Sequence, residues 1–411
     1  MRFFRALSLS LLTLPVIAQT YTPKAVVIEG PVDKAEALHI ANISAGTLTK
    51  DQIEAALGRL ADTGMYADLS YKVDGSALTI VLKPSAAAQL QPVVFANLVW
   101  WKPGELEPLI EARVPAYHGK LPAAGTLTQQ VEDALTALLH EKGVDDVKLD
   151  ARETGSSAAA TTISIESPTV TIGTFTLQQS VPALDKNITN FANTLHGEDF
   201  DTGATAQTIW NSAGDMYQNA GYLEETISTP EYAAPRKTSS GYEVDITATV
   251  TPGPVYRVAA LNITPTPPAA LDDLTKAAAI KPGDLASPLA MRIAKGEMEL
   301  IYWDASFYDA KATIETAKDS GAHTVTYSVR FEIGQPYHFG KLDLSELTQS
   351  QQADFLNAFH AAPGAPAGKP LITALHNAAL DAHIGLATFE TEANHADHSV
   401  TVTLKLKAAR R

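Results

Sequence analysis

The sequence predicts an α+β protein. It reads as a tandem array of β-α-α-β-β units, each a three-stranded mixed sheet packed on two helices. Three internal echoes carry that expectation. The stretch VTPGPVYRVAALNI, from Val250 to Ile263, returns as FEIGQPYHFGKLDL, from Phe331 to Leu344. Gly253 then falls on Gly334, Tyr256 on Tyr337 and Leu261 on Leu342, each 81 residues on. Gly46-Thr47-Leu48-Thr49 recurs 79 residues later as Gly125-Thr126-Leu127-Thr128. A glycine placed where a helix C-terminal cap belongs recurs as Gly64, Gly143 and Gly221. Self-similarity at a period of this size marks a chain of small supersecondary units.

The first unit, 24–84, opens with the apolar strand Ala25–Ile28. Asp33, with Glu36 three residues on, starts a helix. Thr49, with Gln52 three later, caps a second helix whose inner face is Ile53, Ala56, Leu57 and Leu60. Two strands follow, joined at Asp74-Gly75, a short hairpin signal. The second unit, 91–168, begins with a strand from Val93 to Trp100, and Trp100-Trp101 straddle it. Its second helix is lined by Val131, Leu135, Leu138 and Leu139.

The third unit, 169–252, opens on Val170, Ile172, Phe175 and Leu177. It closes with hairpin strands from Tyr222 to Thr229 and Tyr242 to Val250, joined by a long loop, Pro230 to Ser240. In the fourth, 253–334, Ser287-Pro288 opens the second helix with an N-cap and proline at the first helical position. Leu289, Ile293, Leu300 and Ile301 continue it, and Ser306 replaces the cap glycine. The fifth, 335–408, carries Phe355, Leu356 and Phe359, then Leu371, Leu375 and Ala379, with His383 in the glycine slot.

The chain begins with a basic segment, a short apolar run and Val16-Ile17-Ala18, the pattern of a secretory signal over 1–18 cut after Ala18. No later run approaches about 18 apolar residues, so no transmembrane helix is expected. The complete lack of cysteine excludes disulfides, thiol catalysis and cysteine metal sites, so burial of apolar surface must hold the fold. Formal charge is −15. Loss of Arg2 and Arg5 with the signal leaves 29 basic against 46 acidic residues, or −17. That balance argues against nucleic acid or anionic lipid as a main partner and suits solubility.

Five such units with a G-x-x-Y-x-[VF] junction resemble POTRA (polypeptide-transport-associated) domains. Gly253 with Tyr256, Gly334 with Tyr337, and the helix-two endings Gly64-Met65-Tyr66, Gly221-Tyr222-Leu223 and Phe307-Tyr308 carry the resemblance. The family usually places these domains before an outer-membrane β-barrel. The residues after the fifth unit leave no room for a membrane strand of about 9 to 11 residues.

The resemblance implies that the strand after helix two lies at the sheet edge, where bare N–H and C=O groups take an added strand. The corresponding stretches are Tyr66–Lys72, Val144–Asp150, Tyr222–Thr226, Phe307–Thr313 and Leu386–Thr391. Within them the peptide-binding residues expected are Tyr222, Glu224, Thr226, Ala310, Ala312, Leu386, Thr388 and Glu390. It also implies a periplasmic location in a Gram-negative-type bacterium. The partner would be an unfolded client polypeptide or a separate barrel, and association with the outer membrane would run through that partner.

Neither a Gly-x-Ser-x-Gly elbow nor a phosphate loop is present. His360, His376, His383, His395 and His398 gather in the fifth unit, where neutral imidazoles suit a metal. No H-E-x-x-H pattern accompanies them, and solvated loop and helix positions explain them as well. The expectation is therefore a non-catalytic scaffold without a cofactor or metal. A metal-dependent enzyme sited in the fifth unit is the alternative, and a structural spacer a third reading.

Overall fold

The computed structural model describes residues 20–85, 90–154 and 159–406. The expected signal segment, with its cleavage after Ala18, lies outside them. The chain forms two compact units. One comprises the chain up to Thr176 with Asn190–Thr208 and Thr229–Thr247. The other comprises Leu177–Thr189, Ile209–Ser228 and the chain from Ala248 onward.

The first unit begins with β1 (Thr20–Tyr21), β2 (Ala25–Glu29), α1 (Lys34–Ala41), β3 (Leu48–Thr49), α2 (Lys50–Asp62), β4 (Tyr66–Asp74) and β5 (Ala77–Pro84). The Glu36 amide donates to Asp33 Oδ1 at 2.9 Å. Thr49 and Gln52 close a reciprocal capping box at 2.8 and 3.2 Å. β5 is central, parallel to β2 and antiparallel to β4. Ile28, Ala37, Ile53, Leu60, Leu78 and Ile80 fill the space between this sheet and the two helices.

Next come β6 (Leu90–Phe95), α3 (Leu106–Glu111), β7 (Lys120–Pro122), α4 (Leu127–Glu141), β8 (Lys148–Thr154) and β9 (Ala160–Ser167). The sheet order is β7-β6-β9-β8, four strands rather than the expected three. β6 stops at Phe95, so Trp100 and Trp101 do not straddle it. Asn97 takes over the ladder with its side chain. Its amide group donates to the Ile165 carbonyl at 3.0 Å and accepts the Ile165 N–H at 2.8 Å. Trp100 then packs edge-on against Tyr242, ring centroids 5.1 Å apart.

The third sheet is reached through β10 (Thr169–Gln178), a 3-10 turn at Pro182–Leu184, α5 (Asp185–Leu195) and α6 (Thr202–Asn219). β11 (Thr226–Ile227), β12 (Glu231–Tyr232), β13 (Arg236–Lys237) and β14 (Gly241–Thr251) complete it. β14 buries Val244, Ile246, Ala248 and Val250, the expected alternation. The expected partner strand and long loop are replaced. β11, β12 and β13 each pair separately with β14. Pro230 and Pro235 stand in the gaps between them, where a residue without N–H interrupts a ladder.

The second unit continues with β15 (Arg257–Thr264), α7 (Leu271–Ala278), α8 (Pro288–Asp304), β16 (Lys311–Asp319) and β17 (Thr324–Glu332). β18 (His338–Asp343), α9 (Gln349–Ala358), α10 (Lys369–Asp381), β19 (Ala387–Asn394) and β20 (Ser399–Leu406) repeat that order. The sheets run β15-β17-β16 and β18-β20-β19, the same order and sense as the first sheet. Each covers its own core, one around Tyr256, Met298, Tyr302 and Val329, the other around Tyr337, Phe355, Leu375 and Val402. Separate cores are what a repeat array needs.

The residue after helix two is left-handed in all five repeats. φ is +74° at Gly64, +77° at Gly143 and +89° at Gly221, and also +80° at Ser306 and +53° at His383. α8 departs from expectation. It buries Met291, Ala294, Met298 and Tyr302, and leaves Leu289, Ile293 and Leu300 exposed, with Ile301 half-buried. The helix is apolar on two opposite sides, so periodicity alone fits either. Tyr302 settles the choice, its hydroxyl accepting the Thr266 N–H at 3.0 Å.

Candidate functional site

Each sheet has two rims, and the chain treats them differently. The outer rim of the first strand is met by the segment leading into helix two. In the third repeat Phe200 N–H donates to the Val170 carbonyl at 2.9 Å, and Ile172 N–H to that of Glu198 at 2.8 Å. In the fourth, Ala286 and Val258 do the same toward Tyr256 and Asp284, at 3.0 and 2.8 Å. In the fifth, Ala367 and Phe339 do so toward Tyr337 and Ala365, at 3.0 and 2.6 Å. In the second, β7 pairs with Leu90–Pro92 of β6. β15 and β18 are also bulged, between Val258 and Ala260 and between Phe339 and Lys341. Clamping and bulging are two ways to blunt an edge.

The opposite rim belongs to the strand after helix two: β4, β8, β16 and β19. β16 shows what it offers. The Ala312 N–H turns away from β17 and donates to Glu299 Oε1 of α8 at 2.7 Å. By the period of two, the N–H groups of Ile314, Thr316 and Lys318 face the same way. Among the described residues they meet no backbone partner.

The expected binding residues divide accordingly. Ala310 and Ala312 are buried, Ala310 in the turn before β16 with its N–H on the Phe307 carbonyl at 3.2 Å. Leu386 precedes β19 and is 73% exposed, while Thr388 and Glu390 lie within it, opposite Lys405 and Thr403. Thr226 pairs with Thr251 in a two-residue strand. Tyr222 and Glu224 are not on a strand at all. They occupy the turn between α6 and β11, and the third repeat has no continuous edge there. Of the expected stretches, Tyr66–Lys72 lies within β4, and only Lys148–Asp150 and Lys311–Thr313 of the second and fourth are strand.

Glu224 has a different duty, which the sequence concealed. It sits at the joint between repeats. Glu224 Oε1 accepts the Tyr256 hydroxyl and the Lys318 ammonium, each at 2.7 Å. Those bonds, the Lys318 one foremost and then that of Tyr256, hold its carboxyl below the usual glutamate range. The next joint repeats the scheme. Tyr337 donates its hydroxyl to Asp309 Oδ2 at 2.8 Å, and His395 Nδ1 lies 3.1 Å from Asp309 Oδ1. Burial, and then the bond to Asp309, pushes the Tyr337 hydroxyl up to about 12.

At three joints the end of one helix two meets the start of the next. Thr126 N–H donates to the Asp62 carbonyl at 2.5 Å. Asn219 Oδ1 accepts from the Ser287 hydroxyl and the Leu289 N–H at 3.2 and 2.9 Å. Lys369 meets Asp304 at 3.2 Å. The repeated Tyr256 and Tyr337 seam marked the joints. It did not mark the carboxylates, which stand 32 and 28 residues from their tyrosines.

The histidines of the fifth repeat are dispersed. His376 packs edge-on against Phe389 at 4.9 Å, His398 against Tyr337 at 5.2 Å, and His383 holds the left-handed slot. Among the described residues no three His, Cys, Asp or Glu side chains stand close enough to hold a metal. No helix among them is long and apolar enough to cross a membrane.

No protein-family model matches the sequence, and no curated protein matches it in a sequence comparison. Solved structures are similar in fold. The crystal structure of Haemophilus influenzae BamA POTRA3-5 is 15% identical, with a TM-score of 0.42, over 58% of this chain and 96% of that one. The N-terminal domain of Omp85 from Thermosynechococcus elongatus is 14% identical, with a TM-score of 0.26, over 58% and 97%. POTRA1-3 of the periplasmic domain of Omp85 from Anabaena is 10% identical, with a TM-score of 0.19, over 76% and 96%. The strand order, the connections and the repeated joints described above make this a POTRA-like repeat fold.

Proposed function

We propose that this chain is a periplasmic, non-catalytic scaffold that binds extended polypeptide by β-augmentation. The segment bound comes from an unfolded outer-membrane or secreted client, or from a separate outer-membrane barrel. It adds as a further strand along β16 or β19, with β4 and β8 as the corresponding rims of the earlier repeats. Main-chain bonds to alternate residues give affinity without demanding one sequence. The asymmetry of the rims in the fourth and fifth repeats is the observation that supports this reading most directly: β15 and β18 are clamped and bulged, and β16 and β19 pair in unbroken register.

Thr316 allows a selective test. Its N–H faces away from β17, so Thr316→Pro removes a receptive donor while sparing the ladder. Photoreactive residues at Glu315, exposed on β16, and Glu390 should capture extended segments of exported proteins in the cell. One at Leu356, 54% exposed on α9, should not. Thr316→Pro should abolish capture at β16 with the melting curve nearly unchanged. Equal capture from Leu356, or capture untouched by proline, refutes strand addition. No capture from either strand reduces the array to a spacer.

A further inference from the structure

The first outward N–H of β16 is already taken, by a side chain rather than by a strand. Ala312 N–H donates to Glu299 Oε1 at 2.7 Å, the length of a bond to a carboxylate. Glu299 stands on α8 with its side chain 17% exposed, and Lys295 Nζ lies 3.8 Å from the same oxygen. That oxygen sits where the carbonyl of an added strand would sit. A strand reaching Ala312 would have to displace it and leave a sheltered carboxylate without its donor.

The far end of the rim is held as well. Lys318 Nζ donates to Glu224 Oε1 at 2.7 Å, in the joint with the preceding repeat. Between these ends stand Ile314 and Thr316. In an antiparallel strand the N–H and C=O of one residue point the same way, so each of the two offers a donor and an acceptor. Thr313, Glu315 and Ala317 alternate with them. The open stretch of β16 therefore runs from Thr313 to Ala317.

β19 is built without this carboxylate. Seven residues before the left-handed residue that follows helix two, the five repeats carry Leu57, Thr136, Gly214, Glu299 and His376. Only the fourth supplies an acid there. Ala387 is the counterpart of Ala312, set opposite Leu406 as Ala312 is set opposite Phe331. Leu406 spends its N–H on Glu346 Oε2 at 2.8 Å, so this opposed pair exchanges no bonds and the Ala387 N–H faces outward. His376, in the place of Glu299, packs edge-on against Phe389 at 4.9 Å. Given strand addition at these rims, the function proposed above, we propose that Glu299 is a stop. It ends the pairing of an added segment short of Ala312. β16 then takes an extended segment over the five residues Thr313 to Ala317, and β19 takes a longer one that includes Ala387.

Photoreactive residues placed singly at Lys311 and Glu315 of the full chain, in the cell, test the stop. Both positions are exposed, and they stand about 13 Å apart along the strand. Glu315 should capture extended segments, and Lys311 about tenfold less. Leu386, which precedes Ala387 as Lys311 precedes Ala312, should capture as well as Glu390 does. Glu299→Ala frees the Ala312 N–H and should raise capture at Lys311 to the level of Glu315. Amide exchange reads the same bond without any client: Ala312 should exchange slowly in the unaltered chain and fast in Glu299→Ala. Melting curves verify that the variant folds, and the ratio of Lys311 to Glu315 in the unaltered chain needs no variant. Equal capture at Lys311 and Glu315 overturns the stop, as does a ratio that Glu299→Ala leaves unchanged. Poor capture at Leu386 beside strong capture at Glu390 overturns it too, since a rim would then fade at that end without a carboxylate. Loss of capture at Glu315 and Glu390 alike sinks strand addition itself.

Discussion

The joints at Tyr256 and Tyr337 are two versions of one device. Each buries a tyrosine, aims its hydroxyl at a carboxylate of the preceding repeat, and brings a basic group from the hairpin of the following one. The difference lies in that group. Lys318 brings an ammonium whose pKa the bond to Glu224 raises, whereas His395 brings an imidazole. The backbone differs too, a glycine at 221 against Ser306, both left-handed. The buried aromatic anchor is the shared part, and the outer pair is the adjustable part.

The largest effect tests the shared part. Tyr256→Ala and Tyr337→Ala each empty a fully enclosed aromatic site, and each should lose about 3–5 kcal/mol in urea unfolding. If one costs far less than the other, the joints are not equivalent. Next comes the backbone. Gly221→Ala forces a Cβ to 2.9 Å from the Tyr256 carbonyl at φ +89° and should lose at least about 1–2 kcal/mol. Ser306→Gly should be neutral or stabilising by up to about 1 kcal/mol, since the same strain is relieved.

The pH response sharpens the contrast. The folded state depresses the Glu224 carboxyl, so its contribution is complete above the ordinary glutamate range and fades as pH falls through the lowered value. Limited proteolysis at falling pH should find the Tyr256 joint steady above the glutamate range and loosening below it. The smallest effect is that of salt, which weakens both exposed pairs slightly and shifts melting curves little.

Much of this architecture was legible in the sequence because local chemistry fixed it. Asp33, Thr49 and Ser287 cap helices through bonds that span three residues, and the glycine slot recurs because one backbone conformation does. What escaped depended on partners far along the chain. Asn97 ends β6 by bonding across 68 residues. Two prolines break up the third hairpin, and the inner side of α8 is chosen by Tyr302 reaching Thr266. Of the candidate residues, Thr388 and Glu390 lie on an open rim. Glu224 was drawn into a joint whose carboxylate has no constant offset.

The clamps on the first strands of the second to fifth repeats have a consequence for assembly. Sheets receptive on both flanks join end over end without limit, as filaments do. A sheet with a single receptive flank can meet another of its kind only once, and the product is sealed. In the fourth and fifth repeats one flank of each sheet is thereby closed to pairing and the other left available.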